Sequence, residues 1–231
     1  MICAVIVAAG KGTRMGPNID KLFLPVAGRP VIAHTWERFD RVAQIEHVVV
    51  VVREGMQKGF EEIAELIKTT KPFAFAIGGK ERQNSVWNGL EALPRSATIV
   101  AIQDGARPCT SEQIIGDTLA AAKETGAAVA AQKVTDTIKE AGASGTIARN
   151  VDRTHLWSVQ TPQAFRVEVI RRALSEVFVR GLAITDDTAA CELIRQPVRL
   201  VESMTPNPKV TTQADLAFVE LCLASRARAN G

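Results

Sequence analysis

Short runs of hydrophobic residues alternate with helically spaced hydrophobic positions along the first 134 residues of the chain. The runs Ile2–Ala9 and Val48–Val52 are rich in β-branched residues and have the length of buried strands. Between them, Ile32, Trp36 and Phe39 recur at the spacing of an amphipathic helix that ends near residue 41. The pattern thus predicts strands and helices in alternation.

The same reading extends to the end of the chain. The further predicted strands are Phe73–Ile77, Thr98–Gln103, Ala127–Val134 and Val198–Val201. The further predicted helices carry Phe60, Ile63 and Ile67; Val86, Leu90 and Leu93 after an N-cap at Ser85; Ile115, Leu119 and Ala122; Val169, Ala173 and Val177 as far as Gly181; a helix capped by Thr185; and a last helix opened by Thr212 and Asp215.

Strands that alternate with helices imply βαβ units. We therefore expect a three-layer, Rossmann-like α/β fold with a mostly parallel sheet and helices on both faces. Residues 135–153 depart from this pattern, because they have little to bury and carry a Gly-Ala-Ser-Gly turn at 142–145. They predict a β-hairpin, which is marginally stable alone and must lean on its own domain or on a second subunit. Without a visible linker or repeat, we predict one domain, 1–231, with 135–153 as a protruding β-arm.

Composition and charge exclude several classes of protein. A net charge of +3 is too small to indicate a nucleic-acid or membrane partner, and no apolar run approaches the ~20 residues of a membrane span. The start lacks the basic region of a signal peptide. The four cysteines form no CxxC pair and predict buried, reduced thiols, with Cys109 after a loop as the exception to check. These features indicate a cytoplasmic enzyme, and the three histidines lack the spacing of metal ligands.

A glycine-rich loop follows the first predicted strand and contains Gly10, Gly12, Arg14, Gly16 and, further on, Lys21. Glycines let backbone N–H groups approach a phosphate, and the two cations add positive charge. A Walker loop fails because Met15 stands where glycine is required, and the dinucleotide fingerprint fails because the third glycine comes one place late. Two interpretations remain: the phosphate-binding loop of nucleotidyltransferases, and an ordinary glycine-rich turn between a strand and a helix.

Three candidate loops follow strands: Gly10–Lys21, Gly78–Ser85 and Asp104–Pro108. Ligands of parallel sheets bind beyond the carboxyl ends of the strands, so we expect these loops to share one site. The glycine pair that opens the second loop suits contact with a base. Further motifs are Asp136–Lys139 and Asn150–Arg153 in the arm, Gln160–Gln163, and Asn207–Thr211.

From Ala8 to Thr211 these motifs together closely resemble the 2-C-methyl-D-erythritol 4-phosphate cytidylyltransferases of the non-mevalonate isoprenoid pathway. The resemblance implies that a cytidylyl group passes from CTP to methylerythritol 4-phosphate, with Mg²⁺, releasing pyrophosphate. The nucleophile is a phosphate monoester, already mostly dianionic at pH 7 because its second pKa is ~6, so it needs no general base. Preorganised cations are then the main catalytic tool. Mg²⁺ is expected to be held mainly by phosphate oxygens, without a protein ligand cluster.

The resemblance also implies roles for individual residues. Arg14 and Lys21 would hold the triphosphate and stabilise the transition state, while Lys209 would neutralise the α-phosphate and the nucleophile. The implied nucleotide-binding residues are Ala8, Ala9, Gly10, Gly12, Gly79, Ser85 and Asp104, the last orienting the ribose and the metal-bound phosphates. The implied residues for the polyol phosphate are Arg107, Thr161 and Thr185, with Thr137 and Arg153 reaching in from the arm of a partner in a homodimer.

Simpler roles stay open for the same residues. Arg14 and Lys21 are alternatively solvated surface cations, Asp104 a turn cap, Thr185 a helix cap and Lys209 a strand-end charge. Two positions depart from the family pattern. Gly105 replaces the usual alanine and is expected to loosen its turn, and Pro208 replaces a branched aliphatic residue and restricts Asn207 just before Lys209.

Two other functions remain as alternatives. A ribitol 5-phosphate cytidylyltransferase shares the loop, the fold and the Thr-Pro-Gln motif, but Lys139 and the run Val151–Arg153 favour the methylerythritol enzymes. A non-catalytic module that binds CTP without turnover is the second alternative. Thr137 and Arg153 argue against it, because they imply a second substrate.

Overall fold

The computed structural model describes residues 1–10 and 20–229, with side chains as far as Ser225. Its strands are β1 (Ile2–Val7), β2 (Pro25–Val26), β3 (Arg29–Pro30), β4 (His47–Val52), β5 (Phe73–Ile77), β6 (Ile99–Asp104), β7 (Ala127–Lys133), β8 (Ile138–Ala141), β9 (Ile147–Val151), β10 (Trp157–Arg166) and β11 (Arg199–Glu202). Its helices are α1 (Val31–Arg41), α2 (Gln57–Ile67), α3 (Arg82–Glu91), α4 (Glu112–Thr125), α5 (Val167–Val179), α6 (Asp187–Leu193) and α7 (Ala214–Ala229).

Seven strands form one sheet in the order β11-β7-β10-β6-β1-β4-β5. β1 lies between β4 and β6 and is parallel to both, and β5 and β11 extend the sheet in parallel at its two ends. Only β10 runs antiparallel to its neighbours in this sheet, β6 and β7. The predicted mostly parallel α/β sheet is therefore confirmed.

Side chains of the central strands alternate between two hydrophobic layers. Ala4 and Ile6 of β1 pack with Trp36 and Phe39 of α1 on one face. Cys3 and Val5 point to the other face, where they join residues of α3 and α5. Because both faces are covered by helices, the central strands are apolar throughout, which explains the uninterrupted valine run of β4.

The long strand β10 was not predicted from the sequence. It inserts between β6 and β7, and its register shifts between Val159 and Gln163, around the cis peptide that precedes Pro162. Proline within a stretch of strand residues argues against a central strand, because it cannot donate a hydrogen bond to the neighbouring strand. Pro162 is tolerated here because it lies where the register of β10 shifts. Pairing with two neighbours outweighs the local sequence signal.

Two predicted helix caps are wrong. α3 begins at Arg82 and is capped by Glu81, whose backbone N–H donates to Asn84 Oδ1 at 3.1 Å, so Ser85 lies inside the helix. α6 is capped by Asp186, which accepts a hydrogen bond from the backbone N–H of Ala189, and Thr185 precedes the cap. In both places a residue next to the predicted cap bonds to a backbone N–H group at the helix start: Asn84 to that of Glu81, and Asp186 to that of Ala189.

The arm forms the predicted hairpin. β8 and β9 pair only with each other among the described strands, and most of their residues are exposed, Ile147 to 69%. At the base of the arm, Arg153 donates to the carbonyl oxygen of Thr135. The division into a single domain with a protruding arm stays a prediction.

In the described part of the chain, none of the helices combines the length and the apolar character that crossing a membrane requires. All four cysteines, including Cys109, are buried, and none of them forms a disulfide in the described part of the chain.

Candidate active site

A cleft of about 290 Å³ opens at the carboxyl ends of β1, β5 and β6. It is lined by Ala8, Ala9, Gly10, Lys21, Gly79, Ser85, Asp104 and Lys209, together with Lys80 and Arg82. The described residues of all three strand-end segments therefore line one site, as the parallel topology predicted. Gly12 and Arg14 lie outside the described residues.

The glycine pair after β5 allows two loops to touch. A Cβ on Gly78 would lie 2.2 Å from Cβ of Ala9, and a Cβ on Gly79 would lie 2.3 Å from Cβ of Asn84. A side chain at Gly78 would push the loops after β1 and β5 apart, and one at Gly79 would push its own loop away from the first turn of α3. The Gly79 N–H donates to Ser85 Oγ at 3.1 Å, so this hydroxyl holds the loop while it lines the cleft.

One arginine joins the two described residues that flank 11–19. Arg53 Nη1 donates to the carbonyl oxygen of Gly10 at 3.1 Å, and its Nη2 pairs with the carboxylate of Asp20. The entry and the exit of the glycine-rich loop are thereby anchored to the end of β4.

Asp104, at the end of β6, is surrounded by three cations. Lys209 Nζ lies 2.6 Å from Asp104 Oδ2, Arg82 Nε lies 3.3 Å from Oδ1, and Arg107 Nε lies 3.9 Å from Oδ2. Burial by itself would raise the pKa of Asp104, but the charges of Arg82, Lys209 and Arg107 lower it to about 2. Asp104 is therefore ionised at neutral pH, and its carboxylate is paired with these cations.

Asn207 fixes the segment that carries Lys209. Its buried side-chain amide donates to the carbonyl oxygen of Thr161 at 2.9 Å and to Gln160 Oε1 at 3.1 Å, and its Oδ1 accepts from Thr110 Oγ1 at 3.0 Å. These bonds set the backbone before Pro208. Lys209 reaches the cleft despite the departure at residue 208.

Lys21 and Lys209 are brought to the same wall of the cleft. Lys21 Nζ donates to the carbonyl oxygen of Val210 at 2.8 Å, and the Val210 N–H donates to the carbonyl oxygen of Ala106 at 2.8 Å. The two lysines are 188 positions apart in the chain, yet both line the cleft beside Asp104.

The turn at Gly105 is held on both sides. Its N–H donates to the carbonyl oxygen of Val7 at 2.9 Å, and its carbonyl oxygen accepts from Thr35 Oγ1 at 2.9 Å. One of these bonds comes from the backbone and the other from the Thr35 side chain, and the expected loosening of this turn by Gly105 stays a prediction.

A second cavity of about 150 Å³ adjoins the cleft and contains Arg107, Thr161 and Thr185. Thr161 Oγ1 accepts from the Asp104 N–H at 3.1 Å, and Arg107 Nη1 donates to the carbonyl oxygen of Asn207 at 2.7 Å. Arg82, Asp104 and Lys209 line both cavities. The residues expected to bind two different substrates therefore meet across these three side chains.

Thr137 and Arg153 lie together elsewhere. They line a groove of about 280 Å³ on the arm that shares no lining residue with the cleft or with the adjoining cavity. Within one chain, the structure does not bring them to the other candidate residues.

Sequence reasoning did not single out Arg82. Arg82 lies within the candidate loop Gly78–Ser85, but four other polar residues surround it there, so nothing in the local sequence distinguishes it. A cation two positions after a glycine-lysine pair at a strand end was the available signal. Its pairing with two carboxylates depends on β6 and α6, which are distant in the chain.

Comparison with known proteins gives a consistent result over nearly the whole chain. The family model described as 2-C-methyl-D-erythritol 4-phosphate cytidylyltransferase matches residues 2–225. A protein of that name from Synechococcus elongatus is 43% identical over 223 residues, which cover 96% of this chain and 96% of the relative. Another from Geobacillus thermodenitrificans is 42% identical, covering 96% and 97%.

Solved structures agree with the sequence relatives. The crystal structure of 4-diphosphocytidyl-2C-methyl-D-erythritol synthase from Anaerococcus prevotii is similar with a TM-score of 0.85 at 30% identity, covering 96% of each chain. That of 2-C-methyl-D-erythritol 4-phosphate cytidylyltransferase from Thermus thermophilus has a TM-score of 0.76 at 30% identity, covering 96% of this chain and 100% of the other.

Proposed function

This chain belongs to the 2-C-methyl-D-erythritol 4-phosphate cytidylyltransferase family, and we propose that its two joined cavities bind CTP and the polyol phosphate side by side. The reaction transfers a cytidylyl group from CTP to 2-C-methyl-D-erythritol 4-phosphate in isoprenoid precursor synthesis. Its products are 4-diphosphocytidyl-2-C-methyl-D-erythritol and pyrophosphate.

The observation that carries the proposal is the set of side chains shared by the two cavities. Arg82, Asp104 and Lys209 line both spaces, so two ligands bound there would meet beside a lysine and an arginine. Lys21 stands on the same wall through its bond to Val210. Cations at the meeting point of two phosphate groups are what a reaction between two anions requires.

The larger cleft suits the nucleotide. The backbone of 8–10 and of Gly79 can contact the base closely, because no side chain intervenes at the glycines. Asp104, ionised and at the end of β6, would accept hydrogen bonds from the ribose hydroxyls. The triphosphate would extend towards Lys21 and the glycine-rich loop, where Arg14 is the further cation in the proposal.

The smaller cavity suits the polyol phosphate. Arg107, Thr161 and Thr185 line it, and Lys209 stands at its boundary with the cleft. The phosphate monoester attacks the α-phosphorus of CTP and pyrophosphate leaves from the opposite side. Because that nucleophile is already anionic, Lys209 and Lys21 act by neutralising charge in the transition state, and no side chain needs to remove a proton.

Mg²⁺ fits this site as an ion held mainly by the substrate. The described residues contain no cluster of three or more histidine, cysteine or acidic side chains that could hold a metal. Asp104 offers one ionised carboxylate in the cleft, and Mg²⁺ commonly uses one or two carboxylates with phosphate oxygens. When bound, the ion would offset triphosphate charge. Replacing Asp104 by Asn should raise the Mg²⁺ concentration needed for half-maximal rate, and an unchanged requirement would contradict this assignment.

A homodimer with shared sites accounts for the arm. The hairpin is largely exposed and pairs with no other described strand, while Thr137 and Arg153 are separated from the remaining candidate residues. We propose that they complete the polyol phosphate site of a partner subunit. A cytoplasmic location is proposed as well, supported by four buried cysteines that form no disulfide among the described residues.

Pyrophosphate release from CTP tests the function directly. The purified protein is incubated with CTP, Mg²⁺ and either 2-C-methyl-D-erythritol 4-phosphate or ribitol 5-phosphate. We expect turnover with the methylerythritol substrate. A preference for ribitol 5-phosphate would identify the alternative enzyme, and CTP binding without pyrophosphate release from either alcohol would identify a non-catalytic module.

A further inference from the structure

We propose that buried Asp187 positions Arg82 as a further phosphate-binding residue at the junction of the two cavities. The inference rests on the proposed function of those cavities. It adds Arg82 to the proposed catalytic cations Lys21 and Lys209. It also assigns Asp187 a role that is exerted only through Arg82.

Arg82 is held between two carboxylates that come from different parts of the sheet. Its Nε lies 3.3 Å from Asp104 Oδ1, and its Nη1 lies 2.9 Å from Asp187 Oδ1. A guanidinium has five N–H donors in a rigid plane, so two ion pairs on Nε and Nη1 fix the plane and leave Nη2 for a ligand. The side chain remains 27% exposed and lines both cavities.

Asp187 is an unusual residue to bury for stability alone. Its side chain is fully buried, and apart from the ion pair with Arg82 neither carboxylate oxygen has a partner in hydrogen-bond geometry among the described residues. Burial raises the pKa of Asp187, and the charge of Arg82 acts against that rise. A buried carboxylate with a single ion pair is weak support for stability, because desolvation offsets the attraction.

The segment around Asp187 is anchored without its carboxylate. Gln83 donates to the carbonyl oxygen of Leu182 at 2.8 Å and accepts from the Ile184 N–H at 3.0 Å. Gln163 donates to Asp186 Oδ2 at 2.9 Å and accepts from the Asp187 N–H at 3.0 Å. Asp186 caps α6. The contact left to the Asp187 side chain is the one that orients Arg82.

The position of Arg82 gives it a chemical role. Ligands in the two cavities would place the α-phosphate of the nucleotide and the attacking phosphate near the side chains that line both. A planar guanidinium there binds phosphate oxygens with fixed geometry, and it does so without reorganising as charge develops. Loss of Arg82 should therefore lower kcat more than it raises the KM for CTP.

A double-mutant cycle on the full-length protein tests the inference. We expect Arg82→Ala to lower kcat by about 10²-fold and Asp187→Asn by about tenfold, as a misplaced reacting group does. Because Asp187 acts only through Arg82, adding Asp187→Asn to Arg82→Ala should change kcat no further. An equal loss in both backgrounds would overturn the positioning role, and unchanged kcat in Arg82→Ala would overturn the phosphate-binding role.

Chemical rescue provides a readout that a purely structural role would not change. Added guanidinium ions should restore part of the activity of Arg82→Ala, because Asp187 and Asp104 can recruit the free ion to the vacated place. The double variant should recover less. Equal rescue in the two proteins would contradict an orienting function for Asp187.

Arg171→Ala is the matched control, since Arg171 pairs with Glu91 at the other end of α3 and lines neither cavity. Its kcat should equal that of the wild type. If Asp187→Asn does not fold, the variant Arg82→Lys tests the inference instead. One ammonium group cannot pair with both carboxylates, so kcat should fall at least about tenfold. Full activity of this variant would overturn the inference. Wild-type turnover in the same assay separates these outcomes from a failure of the proposed function.

Discussion

Lys21 donates a 2.8 Å hydrogen bond to the carbonyl oxygen of Val210, the residue that follows Lys209. This bond ties the segment after the glycine-rich loop to the segment that carries the second candidate catalytic lysine. Lys209 in turn contacts Asp104 at 2.6 Å. The two lysines are thus positioned by the same short stretch of backbone, which makes the charge of the cleft sensitive to how that stretch is held.

Replacing either lysine by alanine should abolish most of the activity while the fold survives. We expect Lys21→Ala and Lys209→Ala to lower kcat by roughly 10²–10³, the scale of a lost charge stabiliser. Steady-state pyrophosphate release measures the loss, and circular dichroism checks the fold. Lys123→Ala, at an exposed position of α4, is the control. Normal turnover in either cleft variant would remove that lysine from the mechanism.

Asn207→Ala should affect stability and rate together. The substitution removes the two hydrogen bonds that the buried Asn207 amide donates, to the carbonyl oxygen of Thr161 and to Gln160 Oε1, which costs about 2–3 kcal/mol of unfolding free energy. Lys209 loses its defined position, so kcat should fall about tenfold. Urea titration and steady-state kinetics measure the two effects. Asn88→Ala, which removes one exposed hydrogen bond, should change neither greatly; an unaltered rate in Asn207→Ala would show that Pro208 alone positions the lysine.

Asp40 should make stability depend on pH in acid. Burial would raise the pKa of Asp40, but hydrogen bonds from Thr69, Thr70 and Lys71 outweigh it and lower the pKa. The folded-state pKa lies below the unfolded one, so this contribution is present above the unfolded pKa and is lost as pH falls through the folded value.

Asp40→Asn tests this dependence. It should cost about 1–3 kcal/mol at neutral pH, and the difference from wild type should shrink below about pH 4. Urea titrations at several pH values measure the trend. Glu61→Gln removes an exposed charge from α2 as the control. A difference that stays constant down to pH 2 would contradict the linkage.

Gly78 and Gly89 should give different phenotypes when each is changed to alanine, the first in substrate binding and the second in stability. In Gly78→Ala the new Cβ would meet Ala9 at 2.2 Å, so the cleft backbone must shift and the KM for CTP should rise about tenfold. In Gly89→Ala the new Cβ would meet Val5 and Val51 at 2.6 and 2.8 Å, and none of these three residues lines the cleft. That change should cost about 1–3 kcal/mol of stability at nearly constant KM. Gly116→Ala, with nothing nearer than 3.7 Å, controls for both, and equal KM values in all three would refute the close approach at Gly78.

Mixed dimers should reveal whether the arm serves a partner. Lys209→Ala and Arg153→Ala should each be nearly inactive alone. In a heterodimer, the body of the Arg153→Ala chain would receive an intact arm, so one of its two sites is complete. An equal mixture that is allowed to exchange subunits should regain about a quarter of wild-type activity. Absence of any recovery in verified heterodimers, or an active monomer, would refute the shared site.

The sequence by itself determined the layered α/β fold and the location of the cleft. The β-branched runs of β1 and β4 and the helical spacing in α1 predict a parallel sheet covered on both faces, since local patterning records burial directly. Strand-end glycines and polar residues then fall at one edge by topology. Resemblance to the family added the expected roles of Lys21, Asp104 and Lys209, and the structure places these three side chains around one cleft.

Tertiary structure alone decided what depends on distant partners. β10 is a strand because it pairs with two neighbouring strands despite Pro162. The positions of the α3 and α6 caps depend on which side chains make the hydrogen bonds at each helix start. The bridge from Asp187 through Arg82 to Asp104 joins residues separated by up to 105 positions. Local sequence carries burial and turn preferences, but an ion pair between distant elements is set by where the chain places them.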